Sequence, residues 1–580
     1  MSLLKIVRSP LIWFIVLLTG YSAYKLVKDD KVMEVIRSDG RGYYAYLPAL
    51  LIYNDPTFDE PKKAEQRYHA NDIDQLYLFK DKNGHVYDKY FPGTALLQLP
   101  FFLLACFLSW ISGGPVDGYS EIFHWCYFLG SLVYTWLGIY LFRKCVLYFF
   151  PNENRRIDWL IPLLYVATPL MYYSFSTPSF THHYSFFLFG LFAYVMIRLK
   201  EAITLKRMIF LGLTLGLILL VRPTNITVVL LIPFLLGTKV ELLAWLKKLF
   251  TNHRLMLFGS IVSCLAIVSL LLFSWKWQTG NWIVWSYSGE GFNFFHPPIL
   301  TCLLSFRTGL FVHVPVLLLS VVGIVLWFRK NRFQATWLSV YWIVNCWLIF
   351  SWWCWDYESP FGNRPFTEHL FFLLLPLFLV VERKKLLTFI FVGICAFIGG
   401  IRFWEMSTGF MVNQRFTREN YFASLQFWKS DNIGRWNFTG SCVPFGDKSA
   451  EIVLLDESSE RNVLATDEFL FTVDHSLPAD RTNERYYLRV QLDKQIGEKR
   501  FEGVYLVIDA SSSKTKKRYY KSIDLFNDRE EGRHGWVKLD FESQIHDYLQ
   551  EYETVRVYIW NQGKQQFRLR NVKMVLEEYK

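Results

Sequence analysis

At 580 residues, 52% hydrophobic and 18% aromatic with only 19% charged, the chain is too apolar for an ordinary soluble protein of its length. Its net charge of +11 and pI near 9.0 do not call for nucleic acid, because the bases fall in the loops between apolar runs, as they do in membrane proteins. The 9 cysteines stand singly, a pattern that suggests neither a zinc site nor a disulfide framework.

Lys5 and Arg8 precede the apolar run Pro10 to Leu26. No small-residue cleavage site follows, so the run reads as a retained first transmembrane helix with a cytoplasmic N-terminus. Directly after it comes IRSDGRGYYAYLPALLIYND, which puts Asp39, Arg41, Tyr43 and Tyr44 in an extracytoplasmic loop over residues 28–92. Inside that loop, Asn83-Gly84 between YLFKDK and HVYDKY predicts a hairpin.

Further apolar runs lie at Thr94–Ile111, Glu121–Phe142, Ile157–Tyr173, Ser179–Ile197, Met208–Val221, Thr224–Leu236, Leu255–Trp275, Thr308–Phe328, Ala335–Trp353, Thr367–Val381 and Leu386–Trp404. Bases collect in alternate connections, around Arg143 to Arg156, Arg198 to Arg207, Lys239 to Arg254, Arg329 to Arg332 and Arg383 to Lys385. Retention of Lys and Arg on the cytoplasmic side then sets a single topology. Parity between Lys5 and Arg143 leaves no room for three crossings. Thr94–Ile111, bounded by Pro92-Gly93 and Ser112-Gly113-Gly114-Pro115, is therefore expected to dip into the outer leaflet without spanning. About eleven crossings remain, with the C-terminus outside.

The outer connections gather unusual polar residues: His182 and His183 in FSTPSFTHHYSF, Arg222 in LVRPTNIT, Glu290 and His296 in WSYSGEGFNFFHPP, Arg307 and His313 in LLSFRTGLFVH, and Asp356, Glu358 and Arg364 in WWCWDYESPFGNRPF. Arg222 and Arg307 sit at the edges of apolar runs, where an unpaired charge costs about 2.5–3.5 kcal/mol, so they are expected to face a polar cavity. Guanidinium groups there suit a phosphate ligand, and a lone carboxylate suits general-base work on an incoming hydroxyl. Trp352, Trp353 and Trp355 offer an apolar platform for a lipid tail or sugar face. Plainer roles compete: Asp39 as a helix N-cap, the arginines snorkelling to headgroups, His182 and His183 as helix-end polar groups, Glu290 as an ion-pair partner, and the tryptophans as an interface belt.

After Trp404 the composition changes. Residues 405–431, with MVNQRFTRENYFASLQFW, read as an interfacial linker, and residues 432–580 alternate with period two in EIVLLD, YYLRVQLD, EGVYLVIDAS, HGWVKLDF, TVRVYIWNQG and FRLRNVKMVLEE. That pattern predicts an extracytoplasmic β-sandwich domain. Its final segment resembles the closing hairpin of carbohydrate-binding jelly rolls. No P-loop, Rossmann glycine signature or HExxH site occurs, which argues against ATP-driven transport.

Taken in order from Met1 to Arg402, the acid-bearing first loop, FPGTALLQLPFF, STPSFTHHYSFF, VRPTN, GEGF, SFRTGLFVHVP and WWCWDYESPFGNRPF resemble the integral-membrane glycosyltransferases of the GT-C superfamily. Protein mannosyltransferases and lipid A aminoarabinose transferases belong to that group. The resemblance implies a polytopic α-helical membrane domain over residues 1–404, lying in a bacterial inner membrane among its lipids. It also implies transfer of a hexose or pentose, with inversion, from a polyprenyl-phosphate donor to a glycan, lipid or protein acceptor outside. Asp39 matches the acid of the family's first outer loop and would be the general base. Arg222 matches the arginine of the RPT turn and Arg364 that of the YG-R pattern; with Arg307 they would hold the donor phosphate. Substrate contacts are expected from Arg41, Tyr43, Tyr44, Lys89, His183, Glu290, Trp355, Asp356 and Glu358. Where some relatives carry an acidic pair this chain has Asp39-Gly40, so ligand spacing supports no divalent cation and no cofactor is assigned. DYESPFG replaces a glycine-richer version, which leaves the roles of Asp356 and Glu358 open. The alternative is a non-enzymatic lipid-linked glycan transporter, or a membrane scaffold displaying the β-domain; the crowding of charge on one side favours the enzyme.

Overall fold

The computed structural model describes residues 9–68, 77–287, 290–357, 361–408, 421–422, 425, 448–477, 485–496, 503–513, 518–526, 535–545 and 552–579. The chain forms two compact units. The first comprises Met1–Ser288, Val314–Ile349 and Arg364–Gly400, and the second Gly289–His313, Phe350–Asn363 and Ile401–Lys580.

Pro10–Lys28, Gly93–Ser112, Glu121–Phe149, Arg254–Thr279, Arg332–Phe350 and Lys385–Met406 are each long and apolar enough to cross a membrane. At 1.5 Å per residue, about 20 residues match a hydrocarbon core of ~30 Å. Only 17% of the apolar window of Pro10–Lys28 and 11% of that of Arg254–Thr279 is buried, so these two turn most of their side chains to lipid. The chain is an integral membrane protein.

Other apolar runs are broken, and the breaks sit at prolines. Ile157–Tyr173 resolves into helices Asn154–Val166 and Leu170–Phe175, the second capped by Pro169. Thr367–Val381 divides into Phe366–Leu373 and Leu377–Arg383, with Pro376 at the joint. Thr224–Leu236 begins as a 3-10 helix at Pro223 and turns α-helical at Ile232. Proline lacks the N–H that a continuing helix would use and clashes with the preceding turn.

The run expected to stop short of spanning is a single 20-residue helix, Gly93–Ser112, so shortness is not what would keep it from crossing. Both of its ends, however, are tied to the first loop. The Tyr46 hydroxyl donates to the Tyr90 carbonyl at 2.6 Å just before it. Beyond its far end, the Tyr53 hydroxyl reaches the Asp117 carbonyl at 3.0 Å and Tyr68 the Asp117 carboxylate at 2.5 Å. The helix therefore runs alongside the first loop. In that loop β1 (Leu78–Lys80) pairs antiparallel with β2 (Val86–Asp88), the hairpin expected at Asn83-Gly84.

The β region of the second unit is a sandwich of two antiparallel sheets. Its strands are β3 (Lys448–Glu457), β4 (Arg461–Val463), β5 (Phe469–Ser476), β6 (Arg485–Ile496), β7 (Val504–Ser511), β8 (Arg518–Asp524), β9 (Gly535–Ile545), β10 (Thr554–Asn561) and β11 (Phe567–Tyr579). One sheet has the order β5-β10-β7-β8; the other has β3-β11-β6-β9, with β4 added to β11. Alternate residues of both sheets, such as Leu506, Ile508, Val555 and Val557 from one and Leu488, Val490, Phe541 and Met574 from the other, share one core. Of the linker read over 405–431, most residues lie outside those described.

One correction concerns the cysteines. Cys354 is disulfide-bonded, whereas spacing alone left it a single thiol, because distance along the chain does not reveal which cysteines meet in space. Cys106, Cys126, Cys145, Cys264, Cys302, Cys346 and Cys395 are not disulfide-bonded.

Candidate functional site

Within the first unit, Asp39 opens the helix Asp39–Pro48. Gly40 and Gly42 let that helix lie close to its surroundings: a Cβ on Gly40 would come 2.1 Å from Ser179 Cβ, and one on Gly42 2.4 Å from the Tyr90 ring. Ser38, just before, takes φ of 52°, while the Ser179 hydroxyl donates to the Arg37 carbonyl at 3.2 Å. These contacts fix where Asp39 points. Its carboxylate caps no helix. The Tyr90 hydroxyl donates to Oδ1 at 2.8 Å, and Arg364 Nη2 lies 3.1 Å from Oδ2.

Both site arginines of this unit precede a proline. Arg222 closes the helix Leu205–Val221 in an extended conformation, φ −157° and ψ 108°, as expected for a residue before proline. Arg364 precedes Pro365, the N-cap of Phe366–Leu373. Each arginine thus stands at a helix end, beside the chain break that frees it. Asp39, Arg222 and Arg364 are about equally open, with side chains 20%, 21% and 22% exposed.

Burial pushes the Asp39 carboxyl up, but Arg364 above all, then the Tyr90 hydroxyl, Lys89 and Arg222, outweigh it and hold the group below the ordinary carboxylate range. Tyr43, whose ring centroid is 4.6 Å from that of Tyr90, is pushed up to about 12 by burial and by the Asp39 charge, so it stays protonated. Lys89 lies over the Tyr287 ring, 5.1 Å from its centroid. The result is an ionised carboxylate set among cations, partly open to solvent.

Glu368 completes the constellation and was not among the residues expected there. Its carboxylate is fully buried, with Oε1 3.1 Å from Arg222 Nη1 and Oε2 2.7 Å from His182 Nδ1. Asn225 Nδ2 donates to the same Oε1 at 3.4 Å. One signal pointed to it: an acid within the apolar run Thr367–Val381.

Other expected residues have different work. Arg41 Nε is 3.0 Å from Glu65 Oε1, both side chains under a tenth exposed, so the two form a buried ion pair. The Tyr44 hydroxyl donates to the Gly118 carbonyl, and its ring packs edge-on against Phe102, Tyr119 and Tyr127. His183 is buried, its Nε2 2.9 Å from Ser131 Oγ. Glu290, Arg307, Trp355 and Asp356 belong to the second unit. There Arg307 Nε is 2.6 Å from a buried Asp356 Oδ2, and the guanidinium lies 5.9 Å from the Trp355 ring centroid. Trp355 is 3% exposed, so it is packed into the unit and offers no open platform. Glu358 lies outside the described residues.

Among the described residues no three His, Cys, Asp or Glu side chains are grouped to hold a metal ion, and both Asp39 oxygens already face a donor.

No protein-family model matches the chain, and no curated protein matches it. Among solved structures it is similar to the arabinosyltransferase EmbB from Mycobacterium smegmatis, at 11% identity and a TM-score of 0.33, over 97% of this chain and 64% of that one. The chain thus spans less than two thirds of that protein's length.

Proposed function

We propose that the chain is a membrane glycosyltransferase that takes a sugar from a polyprenyl-phosphate donor and passes it to an acceptor hydroxyl on the extracytoplasmic side. The observation that carries this reading is the pairing of Asp39 with Arg364 at 3.1 Å, beside Arg222 and partly open, at the ends of apolar helices. Asp39 accepts the acceptor's proton as its oxygen bonds to the anomeric carbon. The bond from that carbon to the phosphate oxygen breaks, inverting the centre, and the leaving phosphate keeps the electron pair. Arg222 and Arg364 meet the charge as it develops, the stage at which such stabilisation lowers the barrier. Arg222, Arg364 and Lys89 set against Asp39 and Glu368 leave one net positive charge, which matches the single negative charge of a phosphodiester.

The remaining features are consistent with this reading. Base-rich connections alternate with base-poor ones, which supports about eleven crossings with the N-terminus inside. A bacterial inner membrane is the setting we infer. The tethering of both ends of Gly93–Ser112 to the first loop supports its staying on the outer side. The disulfide at Cys354 supports an oxidising exterior for WWCWDYESPFGNRPF. Strand orders β5-β10-β7-β8 and β3-β11-β6-β9 support a jelly roll.

The test is sugar transfer by purified protein from a panel of polyprenyl-phosphate sugars to mixed envelope glycan and lipid acceptors. Wild type is compared with Asp39→Asn at matched folded yield. Transfer by wild type and a loss of at least about 10²-fold in the variant is the expected result, the scale of a general base. Equal activity removes Asp39 from that role.

A further inference from the structure

The sequence VRPTN delivers two groups to one acceptor. Because Arg222 is extended before Pro223, the chain turns at once, and the Asn225 amide N–H bonds back to the Arg222 carbonyl at 3.0 Å. That turn sets the Arg222 guanidinium and the Asn225 side-chain amide on the same Glu368 oxygen, at 3.1 and 3.4 Å. The other oxygen faces His182 Nδ1 at 2.7 Å, and the His182 ring is itself wedged 4.8 Å from the Tyr173 centroid. Glu368 is 0% exposed, His182 1% and Asn225 1%. A carboxylate buried so completely costs several kcal/mol unless its partners are well placed; here three converge, two from the VRPTN turn and one from the start of the helix His182–Glu201.

The consequence lies on the other side of Arg222. A guanidinium has five N–H donors in a planar fork, and Nη1 is directed at Glu368 while the side chain remains 21% exposed. Its charge still reaches Asp39 and Tyr43. We infer that Glu368, held by His182 and Asn225, is a positioning residue that grips Arg222 by one edge and presents the other edge to the donor phosphate. Glu368 touches no substrate; it acts through Arg222. This rests on the glycosyltransferase reading and assigns to it a residue outside the reacting groups.

If so, the contribution of Glu368 to phosphate affinity disappears once Arg222 is gone. Binding of a polyprenyl monophosphate is measured against the neutral polyprenol for wild type, Glu368→Gln, Arg222→Ala and the double variant, with melting temperatures recorded for each. Glu368→Gln is expected to weaken phosphate binding about tenfold, to leave polyprenol binding unchanged, and to add less than about twofold in the Arg222→Ala background. In transfer assays the loss is expected in both KM for the donor and kcat, because Arg222 meets the phosphate when it is bound and again as it gains charge. Losses that multiply, or a Glu368→Gln protein that binds phosphate like wild type, overturn the assignment while leaving the glycosyltransferase reading intact. A wild type that does not distinguish phosphate from polyprenol overturns both. Should Glu368→Gln fail to fold, Asn225→Leu carries the same cycle: it removes one hydrogen bond from Glu368, and its expected loss of about threefold must likewise vanish without Arg222.

Discussion

Asp39 divides its carboxylate between a neutral donor and a cation, Tyr90 on Oδ1 and Arg364 on Oδ2. Burial and the Arg364 charge act on its proton in opposite senses, and the charge, with its smaller allies, prevails. The group whose pKa is depressed is ionised above that pKa and neutralised only as pH falls through it. The acid limb of kcat/KM, which reports the free enzyme, is therefore expected below the ordinary aspartate value of 3.8. Arg364→Gln removes the principal opposition to burial, so the limb moves to higher pH, separately from any drop in the plateau through lost phosphate binding. A pH profile in which the limb stays put would show that Arg364 does not set the charge of Asp39. At this scale Arg222 shows in the sequence as a charge at the edge of an apolar run, where solvation makes an idle charge expensive, whereas Asp39 and Arg364 are picked out by the motifs DGRG and FGNRPF that resemble a known family. The sequence hides Glu368, since one acid at the start of an apolar run looks like a helix-end residue until its three partners are seen. Arg307 and Asp356 illustrate the converse. Their residue types suited the site, but a direct ion pair satisfies each with the other.

Two glycines show how the elements hold the site. Gly40 follows Asp39 in the helix Asp39–Pro48, and a Cβ there meets Ser179 Cβ at 2.1 Å; a Cβ on Gly93 meets the Val221 amide nitrogen at 2.4 Å. Alanine is intrinsically favoured over glycine in a helix by about 1 kcal/mol, but overpacking costs about 1–3 kcal/mol, and at Gly40 it also moves the adjoining Asp39. Gly40→Ala is expected to lower kcat/KM by up to about 10²-fold, the cost of an ångström of misplacement, with Gly40→Ala/Ser179→Gly recovering a substantial part. Gly93→Ala meets backbone at Leu220 and Val221, so no side-chain truncation relieves it and its melting temperature falls further. Equal effects of the two single substitutions, or no rescue at Ser179, would refute this account of the packing. Apolar runs located most helices correctly because hydropathy records burial in lipid or protein. They did not locate the breaks at Pro169 and Pro376, since a hydropathy window sums over a proline at which the helix ends. In the β region, period-two alternation found β3, β6, β7, β9, β10 and β11, whereas β4, β5 and β8 were not read as strands.

For the whole molecule, the orientation we propose rests on two independent kinds of chemistry. Bases such as Arg143, Arg198, Arg329 and Lys384 fall in connections that would be retained inside. Cys354, disulfide-bonded, lies in one of the alternate connections, and disulfides persist on the oxidising side of a membrane. The two agree only if WWCWDYESPFGNRPF and the β-sandwich after the last apolar helix are outside and the Arg383 to Lys385 connection is inside. Single-cysteine reporters in an otherwise cysteine-free chain make this measurable in sealed right-side-out vesicles with a membrane-impermeant maleimide. Gln566→Cys, exposed just before β11, is expected to label without permeabilisation, and Lys384→Cys only after it. In the unaltered chain Cys354 should resist alkylation until an impermeant reductant is added from outside. The reverse labelling pattern would turn the carboxylate site toward the cytoplasm and remove the polyprenyl-phosphate donor presented at the outer leaflet. A Cys354 thiol that reacts without reduction would leave orientation to the basic residues alone.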